Sequence, residues 1–442
     1  MKQTPTPWLR VTAMELTDRE LVFRFTDYLA RTFSIRLDFD RPIQEPLQAY
    51  PKAVVARLLN YIALAQAMYL FNFDYYEEVI GWYELSADES QFFSKLYFAG
   101  LAEFRFTNDI PLATHVAFRG QHALAAAEGH SIPPKLDGAL VGNGGGKDGA
   151  TAGEIANTIF DNLTWFSFYK VGKRQEIIDA SPFQTQISAN RTVTPATNGQ
   201  KYAGHKAVSA DIALQAVLAA MVTRRKYVVV ANEYSANEGN FVRDGVEVNH
   251  QYTKSLAYET DFASFIRNLG VGIEYFSVVR PLYELQILRI FKDFPAYHHI
   301  FISCNHNVRD AYWCLECAKC AFLVLAVTAL DPAWAERVWG DKFVIAKPEL
   351  REHLVALVSP ALDKPFECVG TLEECQLAAG LILANEEFFA QLPADLQEII
   401  QKHAPADFDT LYDRIMRTFD RANNIPDEIR PEVYKFFEQH VR

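Results

Sequence analysis

Positive charge is in short supply in this chain of 442 residues: 43 Lys and Arg stand against 55 Asp and Glu, a formal net charge of −12 at pH 7. A chain this acidic has no overall attraction for nucleic acid or anionic lipid, so any anion it binds must enter a local basic pocket. Cysteine is scarce too. Six in this length do not make a disulfide scaffold, and four of them crowd between 304 and 320, which points to metal instead. Long apolar runs are missing. Residues 1–18 lack the apolar core of a secretory leader, and the longest apolar run, 320–330, is too short to span a bilayer, so a cytoplasmic protein without membrane contact is expected. The sequence shows neither an internal repeat nor a low-complexity tract, and oligomeric state leaves no mark on it.

What is present is apolar bulk. Half the residues are hydrophobic and 13% aromatic, including 32 Phe and 20 Tyr, ample for a packed core and for two or three domains. Phe33, Ile35, Leu37 and Phe39 alternate with Ser34, Arg36 and Asp38, which predicts a half-buried strand with 21–28 as its antiparallel partner. Helical spacing follows over 52–70 and 89–105, so residues 1–130 read as an α+β domain whose aromatic stripes are core. The run Ser131, Ile132, Pro133, Pro134 and Lys135 punctuates the chain. Beyond it, strands predicted at 139–141, 164–169, 227–231, 272–279 and 300–303 alternate with helical stretches such as 151–162 and 211–221. That alternation predicts an α/β domain over 131–330, a mostly parallel sheet with crossover helices. Residues 331–442 read as a helical region divided by prolines, with helices at 377–392 and 396–419.

The α/β domain opens on Gly142, Asn143, Gly144, Gly145, Gly146, Lys147, Asp148 and Gly149, between an apolar strand end and a helical stretch. Strand, glycine turn and helix together hold phosphate: the backbone approaches the anion closely, its N–H groups converge, and the helix presents its positive end. The Walker pattern fails because Asp148 follows Lys147, and the dinucleotide pattern fails at its last glycine. The stretch resembles the S-G-G-x-D-S loop (PP-loop) of enzymes that split ATP into AMP and pyrophosphate. Gly145, Gly146 and Asp148 match it, while Gly144 and Gly149 stand where that loop has serine. The resemblance implies that Gly144, Gly145, Gly146, Lys147 and Asp148 grip the phosphates; the plain alternative is a glycine-rich surface turn.

Two further clusters follow. Asn232, Glu233, Tyr234, Ser235, Ala236, Asn237, Glu238, Gly239 and Asn240 come right after a predicted strand, and Val248, Asn249, His250, Gln251, Tyr252, Thr253, Lys254 and Ser255 lead on to Glu259. Glu233 and Glu238 can hold Mg²⁺ with phosphate oxygens, and His250, Lys254 and Glu259 can move protons. A solvated loop with helix caps uses the same residue types. Next, Cys304 precedes Cys314, Cys317 and Cys320, four thiols that suit tetrahedral zinc; buried reduced thiols or an iron–sulfur cluster are the alternatives. Arg191, Lys201, His205 and Lys206, near Asn198 and Gly199, read as solvated side chains, and Cys368 and Cys375 as core residues.

In this order, the glycine loop, the two polar runs, Ser303-Cys304-Asn305 and the Trp313–Cys320 stretch resemble the MurL family, the UDP-N-acetylmuramoyl-L-alanyl-L-glutamate epimerases. The family implies a bacterial cytoplasmic enzyme of peptidoglycan precursor synthesis. It inverts the terminal L-glutamate of the nucleotide-linked dipeptide, consuming ATP with Mg²⁺ and yielding AMP and pyrophosphate. Glu233, Asn237 and Glu238 then belong to the nucleotide site. His250 and Lys254, followed by Glu259 and Cys304, are the candidate acids and bases. The departure at Gly149 removes one hydroxyl contact to phosphate. Rival readings are another enzyme with this ATP loop, acting on tRNA or a deazaguanine, and a nucleotide- and zinc-binding protein without chemistry.

Overall fold

In the computed structural model, residues 6–124, 134–169, 172–195, 199–304, 306 and 312–441 are described. Ser131 to Pro133, Asn198 and Asn305 therefore lie outside the described residues. The strands are β1 (Trp8–Leu16), β2 (Glu20–Asp27), β3 (Thr32–Phe39), β4 (Glu78–Tyr83), β5 (Ala117–His122), β6 (Ala139–Gly142), β7 (Leu163–Phe168), β8 (Gln186–Thr194), β9 (Tyr227–Val230), β10 (Phe241–Arg243), β11 (Val246–Val248) and β12 (Glu274–Ser277). All but the β10-β11 hairpin join one ten-stranded sheet, in the order β12-β9-β6-β7-β8-β3-β2-β1-β4-β5.

The alternating stretch forms β3, paired antiparallel with β2 through Phe23 opposite Ile35. On the other side β3 pairs antiparallel with β8, Leu37 opposite Arg191, and β8 pairs parallel with β7, Phe166 opposite Ile187. The boundary expected near residue 130 thus falls within one sheet, because β8 hydrogen-bonds to strands from both sides of it. The chain is α/β, with parallel pairing from β12 to β8 and at β1-β4-β5, and antiparallel pairing between.

Side chains of the parallel strands alternate between two layers. Leu140 and Val228 pack with Leu58, Ile62, Leu214 and Val217, from the helices Lys52–Ala67 and Val208–Thr223. Ala139, Val141 and Val229 pack on the opposite face with Ile155, Ile287 and Phe437, from Lys147–Asn157, Glu284–Phe291 and Arg430–His440. The stretch Lys52–Asn72 has the length and hydropathy of a membrane span, yet 78% of its apolar window is buried inside the protein.

Residues 300–303 are irregular chain rather than the expected strand; Ile302 N donates to Gly145 O at 3.0 Å, which seats the segment on the glycine loop. Beyond it, the helices Ala318–Leu330, Pro348–Val358, Leu372–Ala384 and Ala394–His403 share a second core around Phe322, Leu354, Leu377 and Leu396. The helix expected over 396–419 stops at His403, because Pro405 holds Ala404 extended at ψ 141°.

Gly153 packs the glycine-loop helix against the sheet. A Cβ there would lie 2.2 Å from the buried Trp165 ring, whose Nε1 donates to Ser181 Oγ at 3.0 Å. In an open helix Gly→Ala stabilises by about 1 kcal/mol. Here Gly153→Ala is expected to destabilise by about 1–3 kcal/mol, the cost of overpacking, and to lower the Tm in a thermal melt.

Candidate functional site

Across the parallel half, sheet order β8-β7-β6-β9-β12 reverses direction between β6 and β9. In such sheets the loops at the carboxyl ends part at this switch point and leave a crevice. The glycine loop leaves β6 there and the Ala231–Glu233 segment leaves β9, and both line one cavity of ≈ 270 Å³.

Glycine chemistry shapes the loop. Gly145 sits at φ +84°, a conformation that side chains disfavour. Gly146 caps the helix Lys147–Asn157 with no side-chain bond, so its first N–H groups receive no side-chain acceptor from the cap. Asn143 Oδ1 accepts from Gly145 N at 2.9 Å and its Nδ2 donates to Arg174 O at 2.9 Å; Arg174 Nε donates to Gly144 O at 3.2 Å. Arg174 is a cation that the sequence did not single out. Burial lowers its pKa to about 10, which leaves it charged at neutral pH. A Cβ on Gly149 would lie 3.2 Å from the carbonyl of Gly142. Ser303 Oγ approaches the loop instead, 2.9 Å from the Cβ position of Gly146, so 300–303 brings a hydroxyl to the loop.

A buried charged triad stands at the cavity, with Glu284 and Lys319 in its lining and Lys147 behind them. Lys147 is fully buried and its Nζ bonds both Asp148 and Glu284; Lys319 Nζ lies 3.2 Å from the other Glu284 oxygen. Burial pushes Glu284 up, but Lys147 and then Lys319 outweigh it and bring the carboxyl down to about 2. Glu233, 3% exposed, makes no direct ion pair among the described residues, and Lys254 and Lys319 pull it down only in part. Burial first and Glu284 second raise it to about 7. An apolar cavity of ≈ 150 Å³, lined by Leu140, Phe166, Ala213, Val228 and Tyr275, adjoins the first and shares Gly142 and Gly144 with it.

Lys254 and Cys368 also line the cavity, with Nζ and Sγ 3.1 Å apart. His250, from the same polar run, lies close enough to Cys368 for each to shift the other's titration, and its Nδ1 is 2.6 Å from a Glu103 oxygen. Burial pushes the Cys368 thiol up, but the Lys254 charge and then His250 bring it down to about 5. Burial pushes His250 down, but Cys368 and then Glu103 raise it to about 9. His205, lowered to about 3 by burial and by His250, lies against the His250 ring, centroids 4.0 Å apart and tilted by 36°. Cys368, expected as a core residue, is thus a thiolate facing the cavity, and Cys375 is fully buried as expected.

The remaining expected site residues divide by what holds them. Glu259 is fully buried behind the wall, where one oxygen accepts from Arg280 Nε at 2.9 Å and Nη2 at 2.7 Å. Arg280 also donates to the backbone oxygens of Glu233 and Lys254, each at 2.6 Å, so this pair supports the wall and has no access to a ligand. Asn237 Oδ1 accepts from Leu256 N at 2.7 Å. Glu238 lies away from the cavity, accepting from Leu372 N at 3.2 Å, with Lys364 at 3.6 Å. Cys304 is fully buried beside Cys314, Cys317 and Cys320, with all four sulfurs within 4.8 Å of one another. Arg191 is no solvated side chain: it pairs with buried Asp211 at 3.0 Å and lies over Tyr69 at 3.3 Å. Lys201 is exposed, whereas Lys206 is buried.

A doubly wound sheet whose switch point carries a glycine loop, facing acids, bases and a thiolate, defines a ligand-binding α/β protein equipped for polar chemistry. Residues 6–278 match the MurL N-terminal domain and residues 300–407 the MurL C-terminal domain. The chain belongs to the MurL family. A relative from Micromonospora sp., named UDP-N-acetyl-alpha-D-muramoyl-L-alanyl-L-glutamate epimerase, is 31% identical over 311 residues, 66% of this chain and 67% of its own. One of the same name from Xanthomonas oryzae pv. oryzae is 30% identical over 323 residues, 69% of this chain and 70% of its own.

The Cys368–His250 pair sets a pH dependence. His250, raised from 6.5 to about 9, adds stability that is full below 6.5 and lost as pH rises toward 9. Cys368, lowered from 9.0 to about 5, adds stability that is full above 9 and lost as pH falls toward 5. Between pH 6.5 and 9 the two slopes cancel, and from 6.5 down to 5 only the loss remains. Urea titrations are expected to show wild type losing stability relative to Cys368→Ala over that acid window, by about 1.4 kcal/mol per pH unit, with a flat difference from pH 7 to 8.5.

Proposed function

We propose that the crevice binds ATP across the glycine loop and uses it to epimerise the terminal L-glutamate of UDP-N-acetylmuramoyl-L-alanyl-L-glutamate. The observation that carries this reading is that a phosphate-type cradle and a wall of proton-transfer groups open on one cavity. The names of the relatives support the substrate.

Removing a Cα proton beside a free carboxylate builds a second negative charge next to the first. Activation removes that obstacle. A carboxylate oxygen of the glutamate attacks the α-phosphorus of ATP, pyrophosphate departs, and the acyl-adenylate lets the carbanion spread into an enolate. After reprotonation from the other face, water attacks the carbonyl carbon and AMP leaves. The apolar cavity suits the adenine ring, and the N–H groups of the loop with Arg174 and Lys319 suit the departing pyrophosphate, while Lys147, expected to grip phosphate, is buried against Asp148 and Glu284. Mg²⁺ fits the hard oxygens of Asp148 and Glu233, where it would supply charge neutralisation for the phosphates. The raised Glu233 carboxyl supports this, because a cation would restore its charge. Glu238 and Asn237, committed elsewhere, take no part.

Incubation with ATP, Mg²⁺ and the muramoyl dipeptide is expected to release AMP and to give D-glutamate on acid hydrolysis. AMP without D-glutamate, or AMP released only with tRNA, would move the protein to another substrate. Neither product would leave a binding protein without this chemistry.

A further inference from the structure

The cavity holds one nucleophile-type group that the sequence did not reveal. We propose that Cys368 is the acid/base group that exchanges the proton at the substrate Cα, held in place by His250, Glu103 and Lys254; the inference rests on the epimerase reading above. Cys368 lines the cavity that also contains Gly144, Gly146 and Asp148, so its sulfur faces the space a ligand on the glycine loop would occupy.

The thiol does not stand alone. Lys254 Nζ lies 3.1 Å from Sγ, His250 stands near enough to act on it electrostatically, and Glu103 fixes the His250 ring through a 2.6 Å contact to Nδ1. Two cations thus face one sulfur, an arrangement that keeps a thiol ionised. The other candidates are committed. Lys254 is raised by Cys368 and remains an ammonium ion, without a lone pair to accept a proton. Glu259 is bound to Arg280, and Cys304 is enclosed among three other thiols.

In the step assigned to it, the Cys368 thiolate takes the Cα proton to form S–H, and the C–H electron pair enters the enolate. A solvent-exchangeable acid returns a proton to the opposite face, and the S–H proton passes through water to restore that acid. No net proton is consumed. His250 and Glu103 are positioning residues.

The test follows deuterium entering the glutamate Cα in D₂O, and AMP release in parallel. Cys368→Ser is expected to slow Cα exchange by roughly a hundredfold or more, the usual weight of a general base, with a far smaller fall in AMP release. His250→Gln is expected to slow exchange less and to shift its pH profile. A wild type that exchanges and a C368S that exchanges within threefold of it would overturn the assignment. A wild type that neither exchanges nor releases AMP would overturn the epimerase reading itself. Alkylation of the wild type guards against a misfolded variant: iodoacetamide at neutral pH is expected to modify Cys368 first among the cysteines, with protection by ATP and substrate together. Modification of Cys368 no faster than of buried Cys375 would also contradict the assignment.

A separate observation carries a metal site. We infer that Cys304, Cys314, Cys317 and Cys320 bind one zinc ion. Zinc–sulfur bonds of about 2.3 Å in a tetrahedron place sulfurs about 3.8 Å apart. The four sulfurs lie within 4.8 Å of one another, with Cys314 and Cys320 at 3.7 Å. Backbone N–H groups of Glu316 and Cys320 already point at Cys314 and Cys317 sulfurs, at 3.4 and 3.5 Å, and so favour thiolates. The site would clamp Ser303, next to Cys304, and Lys319, between Cys317 and Cys320, where they line the cavity. Elemental analysis of protein purified without added metal is expected to find one zinc per chain, released as a mercurial titrates four thiols, with Cys314→Ser holding less. A metal-free protein whose four thiols are all free, or one that carries an iron chromophore, would overturn it.

Discussion

A single guanidinium without solvent exposure fixes the geometry on which the site depends. Arg280 follows β12 and spends its donors on Glu259 and on the backbone oxygens of Glu233 and Lys254. The two polar runs therefore share one fixed point behind the cavity, in addition to bonding each other, as where His250 N donates to Asn240 Oδ1 at 2.8 Å. Removing either member of the Arg280–Glu259 pair leaves a buried charge without a partner, a cost of about 3–5 kcal/mol. What depends on that support is position: Glu233 and Lys254, with Cys368, all line the cavity.

In front of that support, charge is arranged before any ligand arrives. Lys147 and Lys319 share Glu284, Lys254 faces Cys368, and Arg174 braces the glycine loop. Such groups need little reorganisation when a polyanion enters, which is how a preorganised site stabilises developing charge. The opposed shifts are informative. Glu284 is held ionised by two lysines, Glu233 is held near neutral pH by burial, and Cys368 is ionised where an isolated buried thiol would not be. Three groups in one cavity thus have three protonation habits, as acid/base chemistry requires.

The sequence made the local features legible and hid the distant ones. The strand at 139–141 and the glycine loop read directly, because apolar runs and glycine spacing are local signals, and so did β2, β3 and β9. The helix expected over 151–162 spans Lys147–Asn157, and the one expected over 211–221 spans Val208–Thr223. Strands β1, β4 and β5 did not stand out, since they carry mixed burial at one edge of the sheet, and β8 is polar over its second half because it joins two groups of strands. Lys254 and His250 were visible as residues, but Cys368 was not, because the partners that ionise it lie 114 residues away at Lys254 and, through His250, at Glu103. Glu259 misled for the converse reason: a carboxylate amid polar residues looks available until Arg280, distant in sequence, is seen to hold it.

The central claim is that the glycine loop and the thiolate wall act on one substrate, with ATP activating the carboxylate beside the carbon that is inverted. Oxygen tracing tests it most directly. Glutamate labelled with ¹⁸O in its α-carboxylate, within the muramoyl dipeptide, should pass one ¹⁸O atom to the AMP released during turnover. D-Glutamate formed alongside AMP that carries no label would contradict the acyl-adenylate, and with it the joint use of loop and wall.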